Sequence, residues 1–115
     1  MATRHPDTLG DFEQLMLLAL VRLGPRAYGV SIHNEIRRRA RRDVSIAAVY
    51  KTLERLEKKG LAASSIGEPT PERGGRRKKH YRIQPAGRRA LSYALASLRR
   101  MAYGLPADLD PLLDR

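Results

Sequence analysis

The sequence predicts a mainly helical α+β domain, in which four helices pack around one small β-hairpin. Four segments repeat apolar residues at steps of three and four, the period of a helix with one buried face. Two short segments, 61–66 and 79–83, instead have the pattern of strands. The residues between them, 67–78, are rich in glycine and proline, as the tip of a hairpin is.

Length and charge limit the possible classes of protein. The 115 residues fit one domain, and 23 basic against 12 acidic residues give a formal net charge of +11. Such an excess favours a polyanionic partner; on charge alone, nucleic acid, ribosomal RNA and an anionic membrane all remain possible. The absence of cysteine excludes disulfides, thiol catalysis and cysteine-ligated zinc.

The first helix is expected to lie in the middle of the core. Residues 1–8 are expected to form a flexible arm, and Asp11 can cap the helix with Gln14 completing a capping box; Thr8 is an alternative cap. Residues 12–23 are apolar over most of the helix circumference, and Gly24 and Pro25 end the helix. This stretch is too short and too interrupted to span a bilayer, so we expect a cytoplasmic protein with no membrane partner.

The second helix is predicted over residues 28–40, with Tyr28, Ile32, Ile36 and Ala40 at steps of four. Five arginines lie between positions 37 and 42. They either contact nucleic acid or form a solvated helix end whose positive charge complements the helix dipole, and both interpretations stay open.

The third helix begins after Ser45, a good N-cap, and ends at Gly60. Its buried stripe consists of Ile46, Val49, Leu53 and Leu56. A helix fits the DNA major groove, where each base pair presents a distinct set of donors, acceptors and methyl groups. The residues expected to face DNA are Ser45, Ala47, Ala48, Tyr50, Lys51, Thr52 and Arg55. For Tyr50, a half-buried packing role is an equal alternative to a phosphate contact.

The hairpin that follows carries concentrated positive charge. Six cations and no acid occur between positions 73 and 82. Their mutual repulsion is relieved by a phosphate backbone, which also releases counterions; the alternative is a merely solvated hairpin. Two adjacent glycines would let the backbone approach a DNA strand. The predicted DNA contacts of this wing are Arg73, Gly74, Gly75, Arg76, Arg77, Lys78 and Lys79.

The last helix, residues 85–104, is predicted to begin after Gln84 with Pro85 at its first position, and residues 105–115 form a tail. Its apolar residues follow a heptad-like seam that is too long for so small a domain to bury. A two-fold dimer would bury the seam twice and present two third helices to one duplex. The predicted interface is Leu15, Leu91, Leu95, Leu98, Ala102 and Leu105.

The order of elements is that of a winged helix-turn-helix domain, predicted over residues 9–84. Residues 44–61 (VSIAAVYKTLERLEKKGL) resemble the recognition helix of the PadR family of transcriptional regulators. Residues 17–20 (LLAL) and 27–30 (AYGV) are similar to the family too, and residues 67–83 resemble the wing of a short subgroup with a single C-terminal helix. In departures from the family pattern, Ala47 stands where glycine is common and Gln84 where threonine often begins the last helix.

The resemblance implies a homodimer, usually a repressor, held together by the last helix and part of the first. It implies that the third helix and the wing bind an inverted-repeat operator in double-stranded DNA. Family members often sense small molecules at the dimer interface, so an effector is possible here, but its identity is unknown. The lack of tryptophan argues against an aromatic drug site. No cofactor or metal is expected.

Two other function classes remain. One is a basic protein of RNA-binding or nucleoid type without sequence preference, and the other is an adaptor that uses the winged domain to bind a protein. An enzyme is disfavoured because His5, His33 and His80 have no paired acid at ligand spacing and Ser64 and Ser65 have no predicted base. No phosphate-binding glycine loop is present either.

Overall fold

The computed structural model describes residues 8–69 and 77–109. The predicted N-terminal arm, the wing tip and the end of the tail therefore lie largely outside the described residues. The described residues form four α-helices and one antiparallel hairpin, as predicted. In chain order the elements are α1 (Asp11–Leu23), α2 (Gly29–Arg39), α3 (Ile46–Lys58), β1 (Ala62–Pro69), β2 (Arg77–Ile83) and α4 (Pro85–Ala102).

The helix α1 occupies the centre of the domain, which confirms the prediction from its apolar circumference. It contacts α2, α3, α4 and β2, and its residues Met16 and Leu17 are fully buried. Ile32 of α2 and Leu53 of α3 are equally inaccessible and pack into the same core. One continuous core thus fixes the three N-terminal helices relative to one another. No helix among the described residues is long and apolar enough to cross a membrane.

The start of α1 differs from the prediction. Gly10, not Asp11, is the N-cap, and the buried Glu13 carboxylate accepts a hydrogen bond from the Gly10 backbone N–H at 2.9 Å. Asp11 is exposed and instead forms an ion pair with Arg42 at 2.8 Å. The acid three residues after the cap is therefore Glu13, so the predicted capping box was displaced by one residue.

Both predicted ends of α3 and the predicted start of α4 at Pro85 hold, but the side chain before α4 does not cap that helix. The Ser45 hydroxyl accepts a hydrogen bond from the Ala48 backbone N–H at 3.0 Å, so Ser45 caps α3 as predicted. Gly60 follows α3 with a φ of +75°, a left-handed conformation that glycine adopts without strain. Gln84 occupies the N-cap position of α4, yet its side chain makes no capping hydrogen bond.

The two strands pair in antiparallel register, with Ala62 opposite Ile83 and Ser64 opposite Tyr81. Both extend further toward the tip than the sequence predicted, to Pro69 and from Arg77, and the register shifts between Ile66 and Pro69. The Tyr81 backbone N–H donates to the Ala27 carbonyl at 2.8 Å. The hairpin is therefore attached to the segment that enters α2.

Candidate nucleic-acid interface

The helix α3 has one buried side and one exposed side. Val49, Leu53 and Leu56 are completely buried against the other helices. Ala47, Lys51 and Arg55 are exposed, and Ala48 is half-buried. A helix whose outer surface combines small residues with two long cations has the shape and charge to enter a DNA groove.

Thr52 does not belong to that outer surface. The sequence prediction placed it among the DNA-facing residues, but it is only 4% exposed. Thr52 lies three residues after Val49 and four before Leu56, so the helical period carries it to the buried side. Because threonine is polar, the sequence prediction treated Thr52 as exposed, although it packs in the interior. Thr52 is therefore removed from the candidate DNA contacts.

Two residues of the outer surface were not among the predicted contacts. Lys58 is exposed and lies seven residues, or two helical turns, after Lys51. Glu54 is exposed between them and places one negative charge on the same side. The steps from Ala47 to Lys51, Glu54 and Lys58 are four, three and four. This spacing was readable from the sequence and would have identified both residues.

The side chain of Tyr50 packs against the start of α2. A Cβ atom added to Gly29 would overlap the hydroxyl and the ring of Tyr50, so a larger residue at position 29 would displace the ring from this contact. Tyr50 nevertheless remains 45% exposed. The packing role is therefore present, and the exposed part of the ring stays available to a ligand.

The far end of α3 is fastened to the start of α1. Lys59 Nζ donates to the buried Glu13 carboxylate at 2.8 Å across 46 positions of sequence. Burial alone would raise the pKa of Glu13, but the hydrogen bonds from Lys59 and the Gly10 backbone, with the charges of Lys59 and Arg55, hold it below the ordinary value. Lys59 is thus used for structure and is not a free cation.

Much of the arginine run at the end of α2 is also used for structure. Arg38 and Arg39 contact the buried Glu35 carboxylate at 2.9 and 2.8 Å, and Arg22 of α1 approaches it at 3.4 Å. The hydrogen bond from Arg39, together with the neighbouring positive charges, lowers the pKa of Glu35 despite its burial. Two of the five arginines are therefore paired with a buried acid of the fold, a role that neither interpretation of the run had named.

The described part of the wing presents cations close to α2. The ammonium of Lys78 lies 4.3 Å from the ring centroid of Tyr28, and His80 meets the same ring edge-on with centroids 5.7 Å apart. Lys79 and Arg82 are exposed. Arg77 begins β2, but its side chain and the predicted contacts Arg73, Gly74, Gly75 and Arg76 lie outside the described residues.

The apolar stripe of α4 is buried at its N-terminal end and exposed to solvent at its C-terminal end, which is called the bare end below. Ala90 and Leu91 face the core with 0% and 6% exposure, whereas Leu95, Leu98 and Met101 are 38%, 57% and 80% exposed. Leu91 therefore belongs to the core of the single chain and is wrong as a predicted interface residue. Ala102 is half-buried and Leu105 is 39% exposed.

Leu15 is separate from this stripe. It lines a cleft of about 250 Å³ between α1 and α2, together with Ile36 and Ala40, rather than the surface beside α4. Its place in a dimer interface stays a prediction.

The described residues contain no group of histidines or carboxylates that could hold a metal ion. His33 Nε2 hydrogen-bonds to the Val44 carbonyl at 2.7 Å and thereby ties α2 to the turn before α3. This histidine helps position α3, a role that its isolated place in the sequence did not reveal.

Comparisons with known proteins agree with this geometry. Residues 17–93 match the Transcriptional regulator PadR-like family. A PadR family transcription regulator from Clostridium difficile R20291 superposes with a TM-score of 0.67 at 26% identity, over 80% of this chain and 91% of the other. A PadR-like transcription factor from Bacteroides fragilis gives 0.66 at 26% identity, over 78% and 82% of the two chains.

A transcriptional regulator from Clostridium thermocellum gives a TM-score of 0.65 at 26% identity, over 77% of this chain and 81% of the other. A search of curated protein sequences found no significant match. The fold is therefore shared with solved regulators of transcription.

Proposed function

Because the chain belongs to the Transcriptional regulator PadR-like family, we propose that it is a repressor that binds an inverted-repeat operator as a homodimer. Family membership makes the chain a DNA-binding transcription regulator and not an enzyme. The repressor role, the operator symmetry, the homodimer and the residues that contact DNA belong to the proposal.

The outer surface of α3 carries the proposal. Lys51 and Arg55 are exposed on the side opposite the completely buried Leu53, and the small Ala47 stands at the start of the helix. Long cations at these positions reach guanine N7 and O6 or phosphate oxygens, while alanine contacts a thymine methyl group. The short side chains let the helix approach the base edges closely.

The wing supplies contacts to the DNA backbone. Lys79 and Arg82 are exposed on β2, and the sequence continues with further cations toward the tip. Phosphate contacts of this kind add affinity that depends steeply on salt but carry little sequence information. In the proposed complex α3 determines which sequence is bound, and the wing increases the affinity for any duplex.

The homodimer is supported by the bare end of α4. Leu98 and Met101 continue the stripe that Ala90 and Leu91 bury in the core, so the same stripe needs a second partner beyond the domain. A second copy of the chain supplies an identical apolar stripe through a two-fold axis. The two α3 helices would then enter major grooves about 34–36 Å apart, one DNA turn.

The decisive experiment measures binding to the DNA that flanks the chain's own gene, by fluorescence anisotropy at fixed salt. A regulator prefers this duplex over a shuffled duplex of equal length and composition by at least about 1,000-fold. Lys51→Ala and Arg55→Ala should reduce that preference, whereas Arg89→Ala, an exposed cation on α4, should leave it unchanged. Equal affinity for both duplexes would instead identify a nucleoid-type protein.

The dimer is tested separately. Leu98→Asp places a charge in the bare stripe and should yield monomers in sedimentation experiments, with loss of operator binding. Arg89→Gln changes the net charge by the same one unit on an exposed position and should leave the dimer intact. A dimer that survives Leu98→Asp would show that the α4 stripe is not the interface.

A further inference from the structure

The backbone at the start of α2 is held in place from two sides. Ser31 Oγ accepts a hydrogen bond from the Tyr28 backbone N–H at 3.0 Å. On the other side, the Ala27 carbonyl accepts the Tyr81 backbone N–H at 2.8 Å, and Tyr28 forms an antiparallel bridge with His80. These contacts fix the backbone of Tyr28, so its ring has a defined position beside β2.

Two side chains of the wing contact the ring of Tyr28. Opposite residues of an antiparallel pair have their side chains on the same face, and the rings of Tyr28 and His80 meet at 87° with centroids 5.7 Å apart. Lys78 lies two residues before His80 and therefore on the same face of β2. Its ammonium is 4.3 Å from the Tyr28 ring centroid, within the range of cation–π attraction.

The contact of His80 extends to the other strand of the hairpin. A Cβ atom added to Gly67 of β1 would lie 2.8 Å from Cε1 and 3.0 Å from Nδ1 of the His80 ring. The imidazole therefore lies against Gly67 as well as against Tyr28. The ring of Tyr28 is thus linked to both strands of the wing.

The next residue of the chain contacts α3. Gly29 follows Tyr28 directly, and the ring of Tyr50 packs against it. Two consecutive residues at the start of α2 therefore hold the wing and α3 relative to each other. A binding surface whose parts are held in place before binding loses less freedom when the ligand arrives.

We propose that Tyr28 is a positioning residue for DNA binding. Its ring holds the wing, through Lys78 and His80, in the orientation in which the wing and α3 contact one duplex together. Lys78, a predicted DNA contact, acts through this ring and not on a phosphate. The consequence for DNA rests on the proposed function, whereas the contact between Tyr28 and the wing is present without DNA.

Hydrogen exchange of the full chain without DNA tests the contact itself. The Tyr81 amide donates to the Ala27 carbonyl and exchanges when the hairpin separates from the start of α2. Tyr28→Leu removes the aromatic ring and should accelerate this exchange at least about fivefold relative to the amide of the buried Leu53. Tyr28→Phe keeps the ring and should leave the ratio of the two rates unchanged.

A pair of variants on β2 repeats the test from the side of the wing and carries it if Tyr28→Leu does not fold. Lys78→Met removes the ammonium above the ring and should accelerate exchange of the Tyr81 amide at least about twofold. Arg82→Met removes one exposed positive charge from the same face of the strand and should leave this exchange unchanged. Unchanged exchange in both Tyr28→Leu and Lys78→Met would overturn the proposal.

Binding to duplex DNA at fixed salt tests the consequence for function. The wing supplies affinity for any duplex, so Tyr28→Leu should weaken binding to the operator and to the shuffled duplex alike, at least about fivefold. Tyr28→Phe should bind both duplexes like the unmodified chain. An equal loss in the two variants would identify the hydroxyl as a direct DNA contact and overturn the positioning role, and so would unchanged affinity in Tyr28→Leu.

The role of Lys78 is separated from a phosphate contact by combining the changes. If Lys78 acts through the ring, Lys78→Met weakens DNA binding in the unmodified chain and adds nothing in the Tyr28→Leu chain. The same loss in both chains would overturn this role of Lys78.

The exchange measurement also keeps this proposal distinct from the proposed function. If the chain showed no preference for the operator, the proposed function would fail, while accelerated exchange in Tyr28→Leu would still support the positioning of the wing. Unchanged exchange would overturn that positioning whatever the operator result.

Discussion

Helices α3 and α4 both have an apolar stripe at helical spacing, but the stripe of α3 is buried from Val49 onward, and Ile46 at its start, predicted to be buried, is 40% exposed. Leu53 and Leu56 of α3 are completely buried. On α4 the stripe begins buried at Leu91 and reaches 57% exposure at Leu98 and 80% at Met101. The two helices therefore use the same pattern for different purposes.

The difference lies in where each helix sits relative to α1. Helix α3 packs along α1 and is fastened at its end by Lys59 and Glu13. Helix α4 also contacts α1, and its second half lines clefts beside α1, yet the side chains of Leu98 and Met101 stay exposed. Periodicity tells which side of a helix is apolar, but the packing of the neighbouring elements decides how much of that side is covered.

The largest expected effect on stability distinguishes the buried stripe of α3 from the exposed stripe of α4. Leu53→Ala leaves a cavity in the core and should lower the free energy of unfolding by about 2–5 kcal/mol at every protein concentration. Urea denaturation followed by circular dichroism measures this. Leu98→Ala should cost little in the dilute chain, and its cost should grow with protein concentration because it acts on association.

If Leu98→Ala lowered the free energy of unfolding as much as Leu53→Ala at both micromolar and millimolar protein concentration, this contrast would be contradicted. In that case Leu98 would be covered by other residues of the same chain, and the exposed stripe of α4 would not be the dimer interface.

A second prediction concerns the contact that holds the beginning of α3 in place. Gly29→Ala places a methyl group where the Tyr50 ring lies, and we expect a loss of about 1–3 kcal/mol in unfolding free energy. Combining it with Tyr50→Ala should cost less than the sum of the two single changes, because the clash disappears with the ring. Strict additivity in urea denaturation would show that the two residues do not touch.

The sequence was sufficient for the order of elements because local rules agree there. Ser45 caps α3 and Gly60 ends it through short-range chemistry that needs no tertiary partner. The apolar circumference of α1 likewise required a central place. These features depend on spacing alone.

The errors arose where tertiary packing chooses between similar residues. Thr52 looked like a polar contact, but its phase on the helix buries it. Gly10 and Glu13, rather than Asp11 and Gln14, form the start of α1, and the Glu13 carboxylate is also paired with Lys59, a residue remote in sequence. Leu91 belongs to the same seam as Leu98, and only the position of α1 separates their roles. The spacing of residues along the sequence does not reveal which residues of distant segments contact each other in the fold.

The pH dependence of stability tests how much the ion pair between Lys59 at the end of α3 and Glu13 of α1 contributes to stability. The folded pKa of Glu13 is below its ordinary value of 4.5, so the stability it contributes is present above that pH and is lost as the pH falls through the folded pKa. Glu13→Gln should cost about 1–3 kcal/mol at pH 7 and should flatten the acid limb of a plot of unfolding free energy against pH. Asp11→Asn, which removes an exposed carboxylate, serves as the control. An unchanged acid limb in the Glu13 variant would argue against the contact with Lys59.

The smallest effect on stability is expected on the outer surface of α3, where the effect on DNA recognition should be largest. Lys51→Ala should change the unfolding free energy by no more than about 0.5 kcal/mol, because the side chain is exposed, yet it should alter base preference. Its neighbour Thr52 provides the matched comparison. Thr52→Ala should destabilise the fold by about 1 kcal/mol and leave base preference unchanged, because its side chain is buried. Denaturation and binding to a set of singly substituted operators distinguish the two, and a shift in base preference from Thr52→Ala alone would reverse the assigned orientation of α3.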